Sequence, residues 1–202
     1  LTGLQDAIRK VRFAVSDKDK RYFMDGALLS FTESGYTLAT TDGYRLAFNQ
    51  IVSPTWTVAP CIVPRKALDK LIEIPGEMLV AIGARHLFFV NDGRMLFSRM
   101  IDGKFPDYTR IIPRDTDHTL TCTRTELQAA LQRMILTASE VVCKFTPNQL
   151  TLTSRSAEIG DALEQVTIHY EGAETTVTLN GAYLLEFLNA ACGVSLTLSW
   201  KG

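Results

Sequence analysis

Apolar and polar residues alternate in short runs along most of the chain, the pattern of β-strands that bury one face. Runs rich in β-branched and aromatic residues predict strands at 27–31, 37–40, 45–51, 78–82, 87–90, 95–99, 149–153, 165–170 and 194–200. Turn residues separate these runs, and Asn91-Asp92-Gly93 between two apolar runs predicts a hairpin. Many short strands joined by tight turns favour antiparallel sheets.

Four segments break this rhythm, because their apolar residues recur at helical spacing and predict amphipathic helices of about ten residues. The positions that share a face are Leu4, Ile8, Val11 and Val15; then Leu68, Leu71 and Ile72; then Leu127, Leu131, Met134 and Ala138; and finally Tyr183, Leu184, Phe187, Leu188 and Ala191. Pro64 suits the first turn of the second helix, Thr125 can cap the third, and Asn180 can cap the fourth.

The four helical segments form two related pairs. The motif LQxAIxKV at residues 4–11 returns 123 residues later as LQxALxRM, and VPxxALxxLI at residues 63–72 returns 116 residues later as LNxxYLxxFL. Two pairs in the same order indicate a duplicated domain. We therefore predict an α+β fold in which each domain packs two amphipathic helices on antiparallel sheets, with a linker near residues 113–117.

The polar faces of these helices are basic although the whole chain is not. Its net charge is -1 over 202 residues, which excludes a protein that grips nucleic acid by bulk charge. The cations of the first three helices and the loop after the first are Arg9, Lys10, Arg12, Lys18, Lys20, Arg21, Arg65, Lys66, Lys70, Arg124 and Arg133. A solvated face explains any one helix; together they suggest a surface that contacts phosphates without reading bases.

Cysteine and histidine, which form metal and catalytic sites in many proteins, are scattered along this chain. Cys61, Cys122, Cys143, Cys192, His86, His118 and His169 show no paired spacing, so neither a metal site nor a cofactor is expected, although dispersed ligands remain an alternative. The cysteines are interpreted as reduced and mostly buried. An enzyme would have to pair Asp42 and Asp107 as acid and base; a β-rich ligand-binding or scaffolding protein is a second alternative.

No segment predicts a membrane protein or a secreted one. Apolar runs stay below the roughly 18 residues that span a bilayer. The first residues show neither the charged region nor the apolar region of a signal peptide. With unpaired cysteines, these features predict a cytoplasmic protein.

Two longer motifs resemble signature segments of the bacterial beta sliding clamp, the processivity factor of DNA polymerase III. The first is RYFMDG at residues 21–26 followed by ATTDGYRLA at 39–47; the second is FSRMIDGKFPDY at 97–108, ending in RIIP at 110–113. IVPRK at 62–66 and NxxYL at 180–184 also fit. Their order and spacing extend the resemblance over nearly the whole chain.

The resemblance implies the DNA-clamp fold. Residues 1–113 would correspond to the middle domain without its first strand, and residues 114–202 to the C-terminal domain without its closing strands and tail. The full-length family member is a non-enzymatic homodimeric ring of three similar domains per subunit, which encircles duplex DNA without sequence specificity. Helices line its hole, so the DNA-facing residues would be Arg9, Lys10, Arg12, Lys18, Arg65, Lys66, Lys70 and Arg133.

The family also binds partners in a hydrophobic pocket between its second and third domains. The replicative polymerase, the clamp loader and repair proteins insert a short hydrophobic motif there. Carried over, the wall would be Met24, Thr41, Gly43, Tyr44, Arg45, Leu46, Pro106, Arg110, Ile111, Asn180 and Tyr183. Without the resemblance, residues 41–43 would be a tight turn and Leu46 and Ile111 core residues. Other clamps have a histidine at Tyr44, where an aromatic ring should keep stacking but change the polar contact.

Overall fold

The structure is a computed structural model that describes residues 1–16, 22–53 and 58–202. The chain divides into two units, Leu1–Tyr108 (unit 1) and Thr109–Gly202 (unit 2), and each has its own hydrophobic core. Lys18, Lys20 and Arg21 lie outside the described residues. Within the described ranges, no helix has the length and apolar character needed to cross a membrane.

The described part of unit 1 has two antiparallel sheets that share one core. Its elements are α1 (Leu4–Val11), β1 (Gly26–Thr32), β2 (Gly35–Thr41), β3 (Leu46–Val52), β4 (Cys61–Pro64), α2 (Arg65–Glu73), β5 (Leu79–Ile82), β6 (His86–Asn91) and β7 (Arg94–Arg99). One sheet has the order β3-β2-β1-β4 and the other β5-β6-β7. The N–H of Ile101 donates to the carbonyl of Ile62 at 3.0 Å, so the chain after β7 is joined to β4.

Unit 2 builds a single antiparallel sheet. Its elements are β8 (His118–Thr123), α3 (Arg124–Met134), β9 (Glu140–Thr146), β10 (Gln149–Ser156), β11 (Gly160–His169), β12 (Thr175–Asn180), α4 (Gly181–Ala190) and β13 (Ser195–Trp200). The strand order is β12-β9-β10-β11-β8-β13. β8 joins β11 through only two residue pairs, Ile168 with Cys122 and His169 with Thr121, but pairs with β13 along its whole length.

The two units share a topology. In each, a helix precedes four strands and a second helix follows them, and the order β3-β2-β1-β4 in unit 1 matches β11-β10-β9-β12 in unit 2. α1 packs on β2 and β3, and α3 packs on the equivalent β10 and β11. The α+β class with helices on antiparallel sheets is therefore confirmed, and the repeated helical motifs mark equivalent elements.

The first helical motif marks equivalent buried positions as well. All four apolar residues of the motif in α1 are at most 1% exposed, and so are their four counterparts in α3: Leu4, Ala7, Ile8, Val11, Leu127, Ala130, Leu131 and Met134. Both copies of the helix therefore bury the same four motif positions. The spacing of apolar residues thus identified the side of the helix that packs on the sheet.

Several predicted helix boundaries were wrong by a few residues. α1 ends at Val11, and Val15 is extended because a 3-10 turn, Arg12–Ala14, intervenes. The N-cap of α3 is Thr123 rather than Thr125, and Ala138 lies beyond the helix. In α4, Leu188 of the predicted face is buried and Leu184 packs half-buried against the core, but Phe187 is 38% exposed, whereas Gly181 and Leu185, which were not predicted, are buried.

The hairpin prediction is confirmed, whereas four strands were not anticipated. Asn91 pairs with Arg94, and the two residues between them have positive φ (Asp92 43°, Gly93 74°), as a two-residue hairpin turn requires. The strands missed are β4, β8, β9 and β12. Threonine accounts for much of β8 and β12, and its alternation with aliphatic residues was the available signal.

Candidate functional site

The basic residues of unit 1 lie on the sides of α1 and α2 that point away from the core. α1 buries its apolar residues in the unit 1 core and leaves Arg9 and Lys10 outside it. α2 buries Leu68 and Leu71 and leaves Lys66 exposed. The two helices contact each other, and the Arg9 Nη2 donates to the carbonyl of Ile72 at 3.2 Å. Unit 1 therefore has a two-helix surface on which cations outnumber carboxylates.

Ion pairs neutralise part of this surface. Arg9 Nη1 lies 2.7 Å from Asp6 Oδ1, and Lys70 Nζ lies 2.9 Å from Glu73 Oε2. Arg12 joins the two helices, because its Nη2 donates to Asp69 Oδ2 at 3.1 Å. Among the described residues, Lys10 and Lys66 form no ion pair within 4.0 Å; Arg65 Nη1 donates to the Ser16 carbonyl at 3.5 Å. No described carboxylate therefore neutralises the charges of these two lysines.

The helices of unit 2 present a balanced surface. Arg133 of α3 donates through Nη2 to Oε2 of Glu164, a residue of β11, at 3.0 Å. This hydrogen bond raises the pKa of Arg133 and lowers that of Glu164. Arg124 instead ties α3 to α4, because its Nη1 donates to the Leu188 carbonyl at 3.1 Å. The charged residue of α4 is Glu186.

Thr41, Gly43, Tyr44, Arg45 and Leu46 form and flank the turn between β2 and β3. Thr41 Oγ1 donates to the Arg45 carbonyl at 2.7 Å and accepts from the Gly43 N–H at 3.1 Å. Gly43 has a φ of 91°, which favours glycine. Tyr44 projects from this turn with its side chain 84% exposed. The hydrogen-bonded turn thus exposes the Tyr44 ring to solvent.

Asp42 and Arg45 stabilise this turn. Asp42 Oδ1 accepts from the backbone N–H groups of Tyr44 and Arg45 at 3.0 and 3.1 Å, and Arg45 Nε lies 3.0 Å from Asp42 Oδ2. Arg45 also donates to the Phe13 carbonyl at 2.9 Å and lies over its ring, 5.3 Å from the centroid. These contacts bind the turn to the end of the α1 segment and give the Asp42 carboxylate a structural role.

Leu46 lies on the outer face of the β3-β2-β1-β4 sheet, beside Thr41 in the strand register. The opposite face packs on the helices, and the Thr40 hydroxyl there donates to the Val11 carbonyl at 2.6 Å. The segment after β7 crosses the outer face: Phe105 packs against Ala39 and Ile62 and is only 7% exposed. The half-buried Leu46 thus borders an outer face on which Phe105 is an apolar anchor.

The other residues carried over from the resemblance are described within their own units. In unit 1, Met24 is 4% exposed and belongs to the interior, whereas Pro106 is exposed. In unit 2, Arg110 is exposed and Ile111 is 65% exposed, so the core interpretation of Ile111 is wrong. Their binding role stays a prediction.

The prediction that Asn180 caps the fourth helix is confirmed. Its Oδ1 accepts from the N–H groups of Ala182 and Tyr183 at 3.0 and 3.2 Å. Tyr183 lies in the first turn of α4 and is half-buried. The cap fixes where the helix begins and therefore where the Tyr183 ring is displayed.

Three of the four cysteines are buried, and Cys192 is exposed. Burial raises the pKa of the Cys61 thiol to about 11 and that of Cys143 to about 12. In the part of the chain that the structure describes, no three His, Cys, Asp or Glu side chains cluster as metal ligands would. The buried thiols pack as small apolar groups.

Comparison with known proteins assigns both units. The family model described as DNA polymerase III beta subunit, central domain, matches residues 2–107, and that of the C-terminal domain matches residues 109–200. Two repeated α+β units with this order of helices and strands define the class of DNA-clamp domains. The chain belongs to the DNA polymerase III beta subunit family.

Individual relatives agree with this assignment. The beta sliding clamp of Caulobacter vibrioides is 34% identical over 200 residues, which cover 92% of this chain and 54% of the relative. The DNA polymerase III subunit beta of Pseudomonas aeruginosa has a crystal structure that matches with a TM-score of 0.94 at 26% identity, covering 99% of this chain and 58% of that one. A sliding clamp of Pseudomonas aeruginosa bound to griselimycin matches with a TM-score of 0.91 at 27% identity, covering 99% of this chain and 57% of that one. The chain spans about half the length of the curated relatives it matches.

Proposed function

We propose that the protein is a replication processivity factor, a non-enzymatic sliding clamp that encircles duplex DNA in the cytoplasm as a homodimeric ring. Family membership supports this proposal. The main observation behind it is the basic surface of α1 and α2. These helices carry five cations (Arg9, Lys10, Arg65, Lys66, Lys70) and only three carboxylates, although the chain has a net charge of -1. Such a surface attracts a phosphate backbone of any sequence.

The ion pairs of this surface favour sliding over tight binding. A ring that holds DNA by topology needs only weak contacts, since each strong phosphate contact would slow its movement. Pairing of Arg9, Arg12 and Lys70 with carboxylates lowers the cost of leaving one phosphate and approaching the next. Exposed ion pairs of this kind contribute only about 0–1 kcal/mol each, so they exchange partners readily.

Partners would be tethered through a hydrophobic peptide at the outer face of unit 1. Leu46 offers an apolar contact at the edge of that face, and the exposed Tyr44 ring stands on the turn beside it. Arg45 and Asp42 hold the turn in place through their own hydrogen bonds. The proposed peptide belongs to the replicative polymerase, the clamp loader or a repair protein, and Arg110, Ile111, Asn180 and Tyr183 of unit 2 remain proposed contributors.

DNA binding is tested with the full-length protein and a charge-matched control. After loading onto nicked circular plasmid, the unchanged protein should be retained and should be released when the plasmid is linearised. The variant K10E/K66E should be retained less well, whereas R94E/R155E, with the same charge change on strands, should behave as the parent. Equal loss in both variants would contradict a DNA surface on the helices, and retention on linear DNA would contradict a ring.

Peptide binding is tested at Leu46, with an exposed leucine on the equivalent strand of unit 2 as control. A labelled peptide of the Gln-x-x-Leu-Phe type should bind the protein, and Leu46→Asp should weaken binding by about 10-fold or more, because loss of a hot-spot contact costs about 2 kcal/mol or more. Leu163→Asp on β11, where the leucine is 64% exposed, should leave binding unchanged. Peptide binding that survives Leu46→Asp moves the site elsewhere; absence of both peptide binding and DNA retention would favour an unrelated scaffold.

A further inference from the structure

A groove lies in unit 1 where its two sheets meet. Its volume is about 630 Å³, and its floor contains the side chains of Ile62, Ile101 and Phe105. Ile101 is held there by its hydrogen bond to the Ile62 carbonyl, and Met100 N–H donates to the Arg85 carbonyl at 2.9 Å. The backbone on both sides of the groove is therefore fixed, and the apolar floor is part of the outer-face cluster of unit 1.

The walls of this groove carry three exposed cations, Arg85, Arg99 and Lys104. The carboxylate in the same lining is that of Asp102, so positive charge dominates. No described carboxylate lies within 4.0 Å of any of the three, whereas Arg9, Arg12, Arg45, Lys70, Arg133, Lys144 and Arg155 are all ion-paired. Three cations without such partners around an apolar floor are complementary to an acidic group that carries an apolar side chain.

An exposed apolar sheet face continues from the groove. Arg99 pairs with His86 at the end of the β6–β7 hairpin, and the next outward pair is Phe88 with Phe97. The Phe97 ring is 57% exposed and stacks on His86, with centroids 4.8 Å apart. Exposed aromatic area next to unpaired cations is typical of protein interaction surfaces.

We infer that this groove binds an extended acidic peptide segment of a partner protein, with one aliphatic or aromatic side chain on the floor and flanking carboxylates on Arg85, Arg99 and Lys104. A nucleic-acid backbone fits less well, because it carries no apolar group for Ile62, Ile101 and Phe105. The volume matches a few side chains rather than a duplex.

The groove is separate from the peptide surface proposed around Leu46. The groove is lined by β4, at one edge of the β3-β2-β1-β4 sheet, whereas Leu46 belongs to β3 at the other edge. Phe105 and its neighbours cross the outer face between them. A partner could therefore occupy both surfaces of one unit, and loss of one site need not affect the other.

The test uses the labelled peptide Ac-Asp-Glu-Leu-Glu-Asp-amide and fluorescence anisotropy with the full-length protein. The peptide should bind, and R85E/R99E should weaken binding by about 10-fold or more, as loss of charge complementarity does. The control R94E/R155E makes the same change in net charge on strands outside the groove and should bind as the parent. Arg99→Lys should retain most of the binding, and thermal melting should show all variants folded.

Four results would overturn the inference. They are absence of binding, binding that R85E/R99E leaves unchanged, equal binding of a peptide with serine in place of leucine, and displacement by the Gln-x-x-Leu-Phe peptide. Binding of a labelled DNA duplex that is lost in R85E/R99E would assign the groove to nucleic acid instead. Peptide binding that persists in Leu46→Asp would support a second site even if the proposed tethering surface fails.

Discussion

The two units repeat the same framework but not the same exterior. α1 and α3 bury the same motif positions, and the four strands that follow each have the same order. Outside, α1 and α2 carry five cations against three carboxylates, whereas α3 and α4 carry two of each. A duplicated fold is therefore specified by its buried positions, whereas the charge on its exposed helix faces can diverge between the copies.

The second helices differ even in the face they bury. α2 buries Leu68 and Leu71, whereas α4 buries Leu185 and Leu188, each one position further along from the N-cap than the equivalent residue of α2. β7 packs on α2 in unit 1. The fully buried positions of α4 are therefore offset from those of α2, although Leu184, the equivalent of Leu68, still packs half-buried against the unit 2 core.

The largest effect is expected from the shared buried positions. Ile8→Ala and Leu131→Ala each remove a fully buried side chain and should destabilise their own unit by about 2–5 kcal/mol. Hydrogen exchange should rise in unit 1 for the first variant and in unit 2 for the second. Leu136→Ala, at a position 74% exposed, should change neither. Equal loss of protection in both units from one variant would show that they unfold together.

A smaller effect on stability is expected at the N-termini of the two helices of unit 2, of which α4 has a side-chain cap and α3 has none. Asn180→Ala removes the side chain that caps α4 and should cost about 0.5–2 kcal/mol in urea unfolding. Thr123→Ala at the start of α3 should cost less, because Thr123 makes no side-chain capping bond. Equal costs would mean that the Asn180 cap contributes little.

The contrast in helix charge predicts a difference in salt dependence. K10Q/K66Q in unit 1 should reduce the slope of log K against log salt for DNA binding by about 2, roughly one unit for each phosphate that a lysine no longer neutralises. Arg133→Gln in unit 2 should change the slope less, because Arg133 is paired with Glu164. A slope unchanged in K10Q/K66Q would remove both lysines from the DNA surface.

The smallest expected effect is a loss of stability at alkaline pH in both units. The folded pKa values of Cys61 and Cys143 are raised from 9.0, so the protonated thiols stabilise the fold fully below pH 9. This contribution is lost as the pH rises toward about 11 for Cys61 and about 12 for Cys143. Urea unfolding at pH 8, 9 and 10 should show the decline, and Cys143→Ala should make it shallower in unit 2. An identical decline in that variant would exclude Cys143 as a cause.

The sequence predicted those elements in which the spacing of apolar residues follows the burial of their side chains. The apolar spacing of α1 and α3, the Asn180 cap and the Asn91-Asp92-Gly93 hairpin depend on neighbours in the sequence, so local patterns sufficed. The sequence motif of α4 predicted the burial of Leu188 but not that of Leu185, because the buried face also depends on what packs against the helix.

The candidate site was less accessible to the same reasoning. The turn residues predicted the turn at residues 41–43 and the resemblance gave it a role in binding, but the link from Arg45 to Phe13 joins residues far apart in the chain. The pairing of Arg12 with Asp69 is equally non-local, and it changes how much of the helix charge faces solvent. The groove depends on the contact between Ile62 and Ile101, which no local sequence pattern predicts.

The placement of Cys192 has a practical consequence. It is exposed just after the C-cap of α4, while Cys61, Cys122 and Cys143 are buried and raised in pKa. A maleimide dye at neutral pH should therefore attach to unit 2 at this one thiol without any engineering of this chain. Single-molecule fluorescence with this label could then test the proposed diffusion along a stretched duplex.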